Sequence, residues 1–279
     1  MPEIAARLTD VHYHYPGVPA LEGVDLELYA GEFCALVGQN GAGKSTLAKH
    51  LNGLLKPVSG TVEVLGRDTR TLSVGELARD VGYVFQNPDH QIFSARVRDE
   101  LAFGPRNLGL TPDEVRRRVD EALDGFGLRP YADLPPATLG FGLRRLVSVA
   151  AVFAMRPRFF VLDEPTAELD WRSAHELLDH FRRLHRQGHT ILLISHDMEL
   201  VAEYAERVLL MRAGRIVADA SPAAFFGQTA LLQETRLSPP QIMRLAQRLA
   251  DLGMPPDALT ADAFADAFVA LLREGRHAG

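Results

Sequence analysis

The chain has 279 residues, of which 47% are hydrophobic and 24% charged, with a formal net charge of −6 at pH 7. That length and apolar content bury a full core and exclude a disordered chain. The acidic balance argues against a nucleic-acid binder, which needs a concentrated basic face to neutralise phosphates.

Cys34 is the single cysteine and lies in the apolar run Phe33–Val37, so no internal disulfide can form and the thiol reads as buried filler. Met1–Asp10 mixes charges into its apolar residues and has no signal-peptide core. The longest apolar stretch, Val147–Met155, falls short of the ~20 residues a spanning helix needs. The expectation is a soluble, cytoplasmic chain that reaches a membrane only through partners.

In chain order, the runs Val24–Leu28, Phe33–Val37, Thr61–Val64, Val81–Phe85, Phe159–Leu162, Thr190–Ile194 and Val208–Met211 alternate with helical patterns. This predicts an α/β fold around a largely parallel central sheet. Between Phe85 and Phe159 the strand pattern gives way to helices, one announced by Thr111-Pro112-Asp113-Glu114, a cap followed by proline and acids. Residues 90–158 therefore read as a helical subdomain inserted in a domain spanning 1–220.

After Ala220, Ser238-Pro239-Pro240 opens a helix with Ile242, Leu245 and Leu249 on one face. Thr260 caps another, with Asp262 in its first turn and Phe264, Phe268 and Leu272 along one stripe. Residues 221–279 are expected to form a small helical extension for docking or dimerisation.

Gly38-Gln39-Asn40-Gly41-Ala42-Gly43-Lys44-Ser45-Thr46 follows the strand Phe33–Val37 and opens a helix, the setting a phosphate-binding P-loop requires. Gly38, Gly41 and Gly43 let backbone N–H groups, those around Asn40 and Thr46 included, turn inward around a phosphate at the positive end of a helix. Lys44 is expected to reach the β- and γ-phosphates, and the Ser45 hydroxyl to coordinate Mg2+. A second metal-side acid is expected at the end of another buried strand, and Phe159–Leu162 runs into Asp163-Glu164. Asp163 would hold Mg2+ through water and Glu164 would polarise the attacking water. ATP is thus the expected ligand and Mg2+ the expected cofactor.

With these motifs in order, residues 4–220 resemble the ABC ATPase family, whose fold is a P-loop NTPase with a RecA-like core and an inserted helical subdomain. Asp163-Glu164-Pro165-Thr166-Ala167-Glu168-Leu169-Asp170 is similar to a Walker B strand running into a D-loop that ends at Asp170. Ser195-His196-Asp197 is similar to the switch-histidine segment. The resemblance implies that His196 hydrogen-bonds the γ-phosphate, a task imidazole suits because it can donate at neutral pH. It implies a catalytic set of Lys44, Glu164 and His196 and a metal set of Ser45, Asp163 and Gln86, the last as the Q-loop glutamine. Tyr15, in Tyr13-His14-Tyr15-Pro16-Gly17, matches the ring that stacks on adenine, with Tyr13 as its competitor.

A narrower likeness lies in Phe85-Gln86-Asn87-Pro88-Asp89-His90-Gln91-Ile92-Phe93 and Glu100–Gly109, which resemble the ATPase subunits of energy-coupling factor importers for vitamins, cobalt and nickel. It implies that Asp89 and Gln91 lie where a transmembrane coupling subunit docks, an acid there being able to pair with a partner arginine. The implied partners are that subunit, a substrate-binding membrane subunit and a second ABC ATPase, at the cytoplasmic face of the membrane.

The family closes its partner's nucleotide with a signature near L-S-G-G-Q, where this chain has Leu139-Gly140-Phe141-Gly142-Leu143. Only Leu139 and Gly142 match: Gly140 brings no hydroxyl, Phe141 a bulky ring and Leu143 no amide. The helix start still favours an anion. A homodimer would carry two weakened sites and a heterodimer one, so the expectation is a paralogous partner with an intact signature. The competing readings are a soluble ABC ATPase of repair or translation, a low-turnover nucleotide-gated regulator, and a P-loop kinase, which leaves Gln86, Asp170 and His196 unaccounted for.

Overall fold

The first two strands, β1 (Ile4–Tyr15) and β2 (Val18–Tyr29), pair antiparallel in the computed structural model, which describes residues 3–277. β3 (Phe33–Val37) follows, buried at every position, then α1 (Lys44–Leu51), β4 (Ser59–Val64) and the short β5 (Arg67–Asp68). An antiparallel sheet of order β2-β1-β4-β5 results. The segments Val24–Leu28 and Thr61–Val64 thus lie outside the parallel sheet that the sequence pattern assigned them to. Nor does β1 show as an apolar run, because exposed Arg7 and Asp10 interrupt buried Leu8 and Val11. Half-exposed strands of this kind pair antiparallel.

The chain continues through α2 (Val74–Leu77), β6 (Val81–Val84), α3 (Val97–Asn107), α4 (Pro112–Gly125), α5 (Phe141–Met155) and β7 (Phe159–Asp163). α6 (Trp171–Arg186), β8 (Thr190–Ile194), α7 (Met198–Tyr204), β9 (Arg207–Arg212) and β10 (Arg215–Ala220) complete the second sheet, ordered β10-β9-β3-β8-β7-β6. All its pairings are parallel except that of β9 with β10. The carboxyl ends of β3, β7 and β8 therefore open on one edge, where ligands bind in open α/β sheets.

Helices α3 to α5 fall within the predicted insert, and Thr111 caps α4 by accepting from the Glu114 N–H at 3.3 Å. They share one core with the sheet: Leu101, Val119 and Val147 pack in the same cluster as Phe160, Leu162 and Leu193. Inserted in sequence, they do not stand apart in space.

α8 (Pro222–Phe226), α9 (Thr229–Thr235), α10 (Gln241–Arg248) and α11 (Ala261–His277) follow. Phe225, Phe226, Leu232 and Met243 bury against Ala35, Val37, Val208 and Leu210 of the parallel sheet, so the change of sequence texture after Ala220 is not a break in packing. In α10 the buried residues are Met243 and Ala246, while Leu245 of the expected stripe is exposed. Ala246 is small enough for α10 to sit close against Met254 and Ala258, and that contact decides which face turns inward. Thr260 accepts from the Ala263 N–H at 3.2 Å and opens α11. Phe264 packs on the Ala246 cluster, whereas Phe268 and Leu272 are exposed. Among the described residues no helix is long and apolar enough to cross a membrane.

Candidate nucleotide site

Beyond β3 the backbone turns through Gly38 at φ 145° and Gly43 at φ 106°. A Cβ on Gly38 would lie 2.2 Å from the Met211 carbonyl oxygen, and one on Gly43 2.5 Å from that of Ala20. Glycine is required at both positions, for conformation and for space. Lys44 opens α1, and its ammonium donates to the carbonyls of Gly38 at 2.7 Å and Gln39 at 3.0 Å. Burial lowers its pKa, with Glu164 and Asp163 pulling the other way. A buried ammonium resting on two neutral carbonyls would bind an anionic oxygen more strongly than either of them.

A cavity of 410 Å³ over this loop brings Asn40, Gly41, Gly43, Lys44, Ser45 and Thr46 together with Tyr15, Gln86, Asp163 and Glu164. Tyr15 is 38% exposed, with its hydroxyl 3.4 Å from Thr46 Oγ1. Tyr13 packs instead against the core and sits edge-on to both Tyr15 and His50. Of the two rings, only Tyr15 lines the cavity.

Asp163, last in β7, is 3% exposed. Its Oδ2 accepts from the Tyr83 hydroxyl at 2.8 Å, and its Oδ1 has no partner among the described residues. An orphaned buried carboxylate oxygen is costly unless a cation or its water meets it. With the Ser45 hydroxyl and the Gln86 amide on the same cavity, this all-oxygen set fits a hard cation such as Mg2+, which also takes phosphate and water ligands. Tyr83, in β6, is marked in the sequence only by its polar tip inside the apolar run Val81–Phe85. Burial and the neighbouring Asp163 push its pKa far up, so the phenol stays a donor.

Glu164 is 7% exposed and adopts φ 51°. Its N–H donates to the Ile194 carbonyl at 3.0 Å, and its Oε2 lies 2.8 Å from His196 Nδ1. The third hold on Glu164 is Arg145, also unforeseen, which is 1% exposed and donates from Nη1 to the Glu164 carbonyl at 3.0 Å. An arginine one turn into the apolar helix α5 was its only sequence trace. His196 lies outside the cavity lining and reaches it through Glu164.

The signature residues Leu139, Gly140 and Gly142 lie away from this cavity, as does Asp170, which caps α6 by accepting from the Ser173 N–H at 2.8 Å. Gly140 is the N-cap of α5 and supplies no side-chain bond there. Asp89 is paired at 2.9 Å with Arg144 of its own chain, and Arg144 also donates to the Leu139 carbonyl at 2.7 Å. Gln91 donates to the Ser148 carbonyl at 2.7 Å and accepts from the Phe85 N–H at 3.4 Å, so its amide is engaged inside the chain.

The sequence pattern of the family described as ABC transporter matches residues 21–167, more than half the chain. A putative ABC transporter ATP-binding protein of Caldanaerobacter subterraneus subsp. tengcongensis is 45% identical over 88% of this chain, which spans 44% of that relative's length. The energy-coupling factor transporter ATP-binding protein EcfA of Methanothermobacter thermautotrophicus is 41% identical, over 90% of this chain and 82% of its own. The solved structure of CbiO1 from Clostridium perfringens, described as part of the ABC transporter complex CbiONQ, matches with a TM-score of 0.74 at 33% identity, over 90% of this chain and 98% of that one. The chain therefore belongs to the ABC transporter family: it is an ABC ATPase, similar over most of its length to energy-coupling factor ATP-binding proteins.

Proposed function

We propose that this chain is the ATP-hydrolysing motor subunit of an energy-coupling factor importer for a vitamin or a transition-metal ion, held peripherally at the cytoplasmic face of the membrane. The observation that carries the reading is the meeting, around one cavity, of Lys44, Asp163 and Glu164, with His196 paired to Glu164 from outside the lining.

In the reaction, Lys44 leaves the Gly38 and Gln39 carbonyls for the β- and γ-phosphate oxygens. Ser45, Asp163 and Gln86 would hold Mg2+, which supplies charge neutralisation on those oxygens when bound. Glu164 orients the attacking water and takes up its proton, and His196 steadies both Glu164 and the γ-phosphate. Tyr15 offers its half-exposed ring to the adenine face.

Docking to a transmembrane coupling subunit is supported by an apolar groove of 330 Å³ lined by Tyr83, Phe85, Phe93, Phe103 and Val152. Phe93 and Phe103 are 64% and 46% exposed, an apolar pair suited to an amphipathic helix. Gln91 lines it, Asp89 lies two residues earlier in the single helical turn Pro88–His90, and an incoming arginine would compete with Arg144 for Asp89. Pairing with a paralogous ATPase is supported by Gly140 and Phe141, which leave little at α5 to meet a second nucleotide. The exposed Leu245, Phe268 and Leu272 of the C-terminal helices suit a docking or dimerisation role.

The test is purification of the tagged chain from its native membrane with identification of the co-purifying subunits, followed by ATP-driven uptake in reconstituted vesicles. Recovery of a membrane subunit and a second ATPase, with uptake lost in Glu164→Gln, supports the reading. A chain that hydrolyses ATP but brings no membrane protein with it supports the soluble ATPase instead. The same two residues, Gly140 and Phe141, favour the regulator reading if the assembled complex shows nucleotide binding without turnover.

A further inference from the structure

We propose that Phe141 and Arg145 are positioning residues for Glu164, so that the ring which breaks the signature pattern serves this chain's own nucleotide site. The proposal rests on Glu164 being the residue that orients the attacking water.

Glu164 occupies the left-handed backbone region at φ 51°, where a residue bearing a Cβ persists only when its surroundings hold it. Its N–H is held by the Ile194 carbonyl and its carboxylate by His196, while its own carbonyl is held by Arg145 at 3.0 Å. Arg145 is the contact from outside the strand ends.

Arg145 itself is unusual in being 1% exposed with no acceptor for its Nε among the described residues. A buried guanidinium with one strong hydrogen bond needs something to cover its flat face. Phe141 does so: its ring centroid lies 5.2 Å from the Arg145 Cζ. Arg144 Cζ lies 5.7 Å from the same ring, and Arg144 is anchored by the Leu139 carbonyl and the Asp89 carboxylate. Contacts therefore run from Asp89 through Arg144, Phe141 and Arg145 to the Glu164 carbonyl. A glycine at 141 would remove the middle of this series.

The ring, not its bulk, is the required feature, so Phe141→Leu and Phe141→Tyr separate the two. These variants, with Arg145→Met and Glu164→Gln, are compared in the full chain by amide hydrogen exchange over residues 163–168, by ATP affinity and by turnover in the purified complex. Phe141→Leu and Arg145→Met are expected to speed exchange in that segment about tenfold, with other segments unmoved. They are expected to lower kcat about tenfold with ATP affinity changed less than about twofold. Phe141→Tyr is expected to match the parent in all three.

Unchanged exchange over 163–168 in Arg145→Met, or equal behaviour of the leucine and tyrosine variants, overturns the proposal. Faster exchange throughout the chain does so too, because it reports lost packing. Glu164→Gln separates the two readings: full turnover in that variant removes the role of Glu164, while the exchange results still decide what Phe141 and Arg145 hold.

Discussion

His196 Nδ1 lies 2.8 Å from Glu164 Oε2, yet the side chains differ in setting: that of His196 is 72% exposed and that of Glu164 only 9%. The carboxylate is thus buried while its imidazole partner faces solvent. Glu164→Gln keeps the shape and loses the basic oxygen, so ATP binding should survive while hydrolysis falls by about a hundredfold or more. His196→Ala should lower kcat by about 10- to 1,000-fold, with a smaller change in KM. Steady-state kinetics alongside equilibrium nucleotide binding checks both.

Tyr83 and Asp163 are joined across neighbouring strands by a 2.8 Å hydrogen bond that leaves only Oδ1 of the acid open. Tyr83→Phe keeps the ring but strips Oδ2 of its donor. The nucleotide-free protein should lose about 1–3 kcal/mol, read as a lower Tm. Mn2+ affinity of the nucleotide-loaded protein, measured by electron paramagnetic resonance, should weaken about 10- to 100-fold. Unchanged values in both would assign Tyr83 to packing alone.

Lys44 has a pKa lowered chiefly by burial, so the native ammonium loses its proton more readily than the unfolded one, which titrates at about 10.4. Between the lowered value and that of the unfolded chain, the unfolded state binds more protons and stability rises with pH. Below the lowered value the burial penalty is present in full. Thermal melts of the nucleotide-free protein should therefore show an alkaline gain from this group that Lys44→Met lacks. Saturating ATP should also suppress it, because phosphate charge restores the lysine pKa. The same variant should bind ATP at least about tenfold more weakly.

Gly140 holds the N-cap of α5 at φ −62° and ψ 159°, with open space where a Cβ would stand. Serine fits that backbone and can cap the helix, so Gly140→Ser should stabilise the chain by a few tenths of a kcal/mol, roughly the capping difference between the two residues. In the proposed pairing it would also return a hydroxyl toward the partner's nucleotide. ATPase activity of the chain by itself should rise in this variant. No rise would place the limit at Phe141 or elsewhere.

Phe103, edge-to-face with Phe93 at 4.6 Å, is exposed on the rim of the apolar groove. Phe103→Asp should abolish co-purification with the membrane subunit while moving stability by less than about 0.5 kcal/mol, as for other surface changes. Retained association with an unchanged Tm would put the docking surface elsewhere.

The glycines around Lys44 and the apolar strand ending at Asp163-Glu164 are legible in the sequence because their geometry is local. A positive φ, a helix start and a strand end are each decided within a few residues. The parallel strands show for a related reason: buried on both faces, they must be apolar throughout. β1 escapes that test because its exposed face carries Arg7 and Asp10.

What the sequence determined by itself is the order of the nucleotide-engaging segments and the residue types each brings. Only the tertiary structure decided which of them touch. Tyr83 meets Asp163 across 80 residues and Arg145 meets Glu164 across 19, while Asp89 pairs with Arg144 between the segment after β6 and the first turn of α5. Such contacts depend on strand register and on how deeply a helix seats against the sheet. Both are set by close packing of the whole core, which no local pattern encodes. Met243 and Ala246 turned inward in place of Leu245 for the same reason: the face that fits its neighbour is buried, whatever its hydrophobicity.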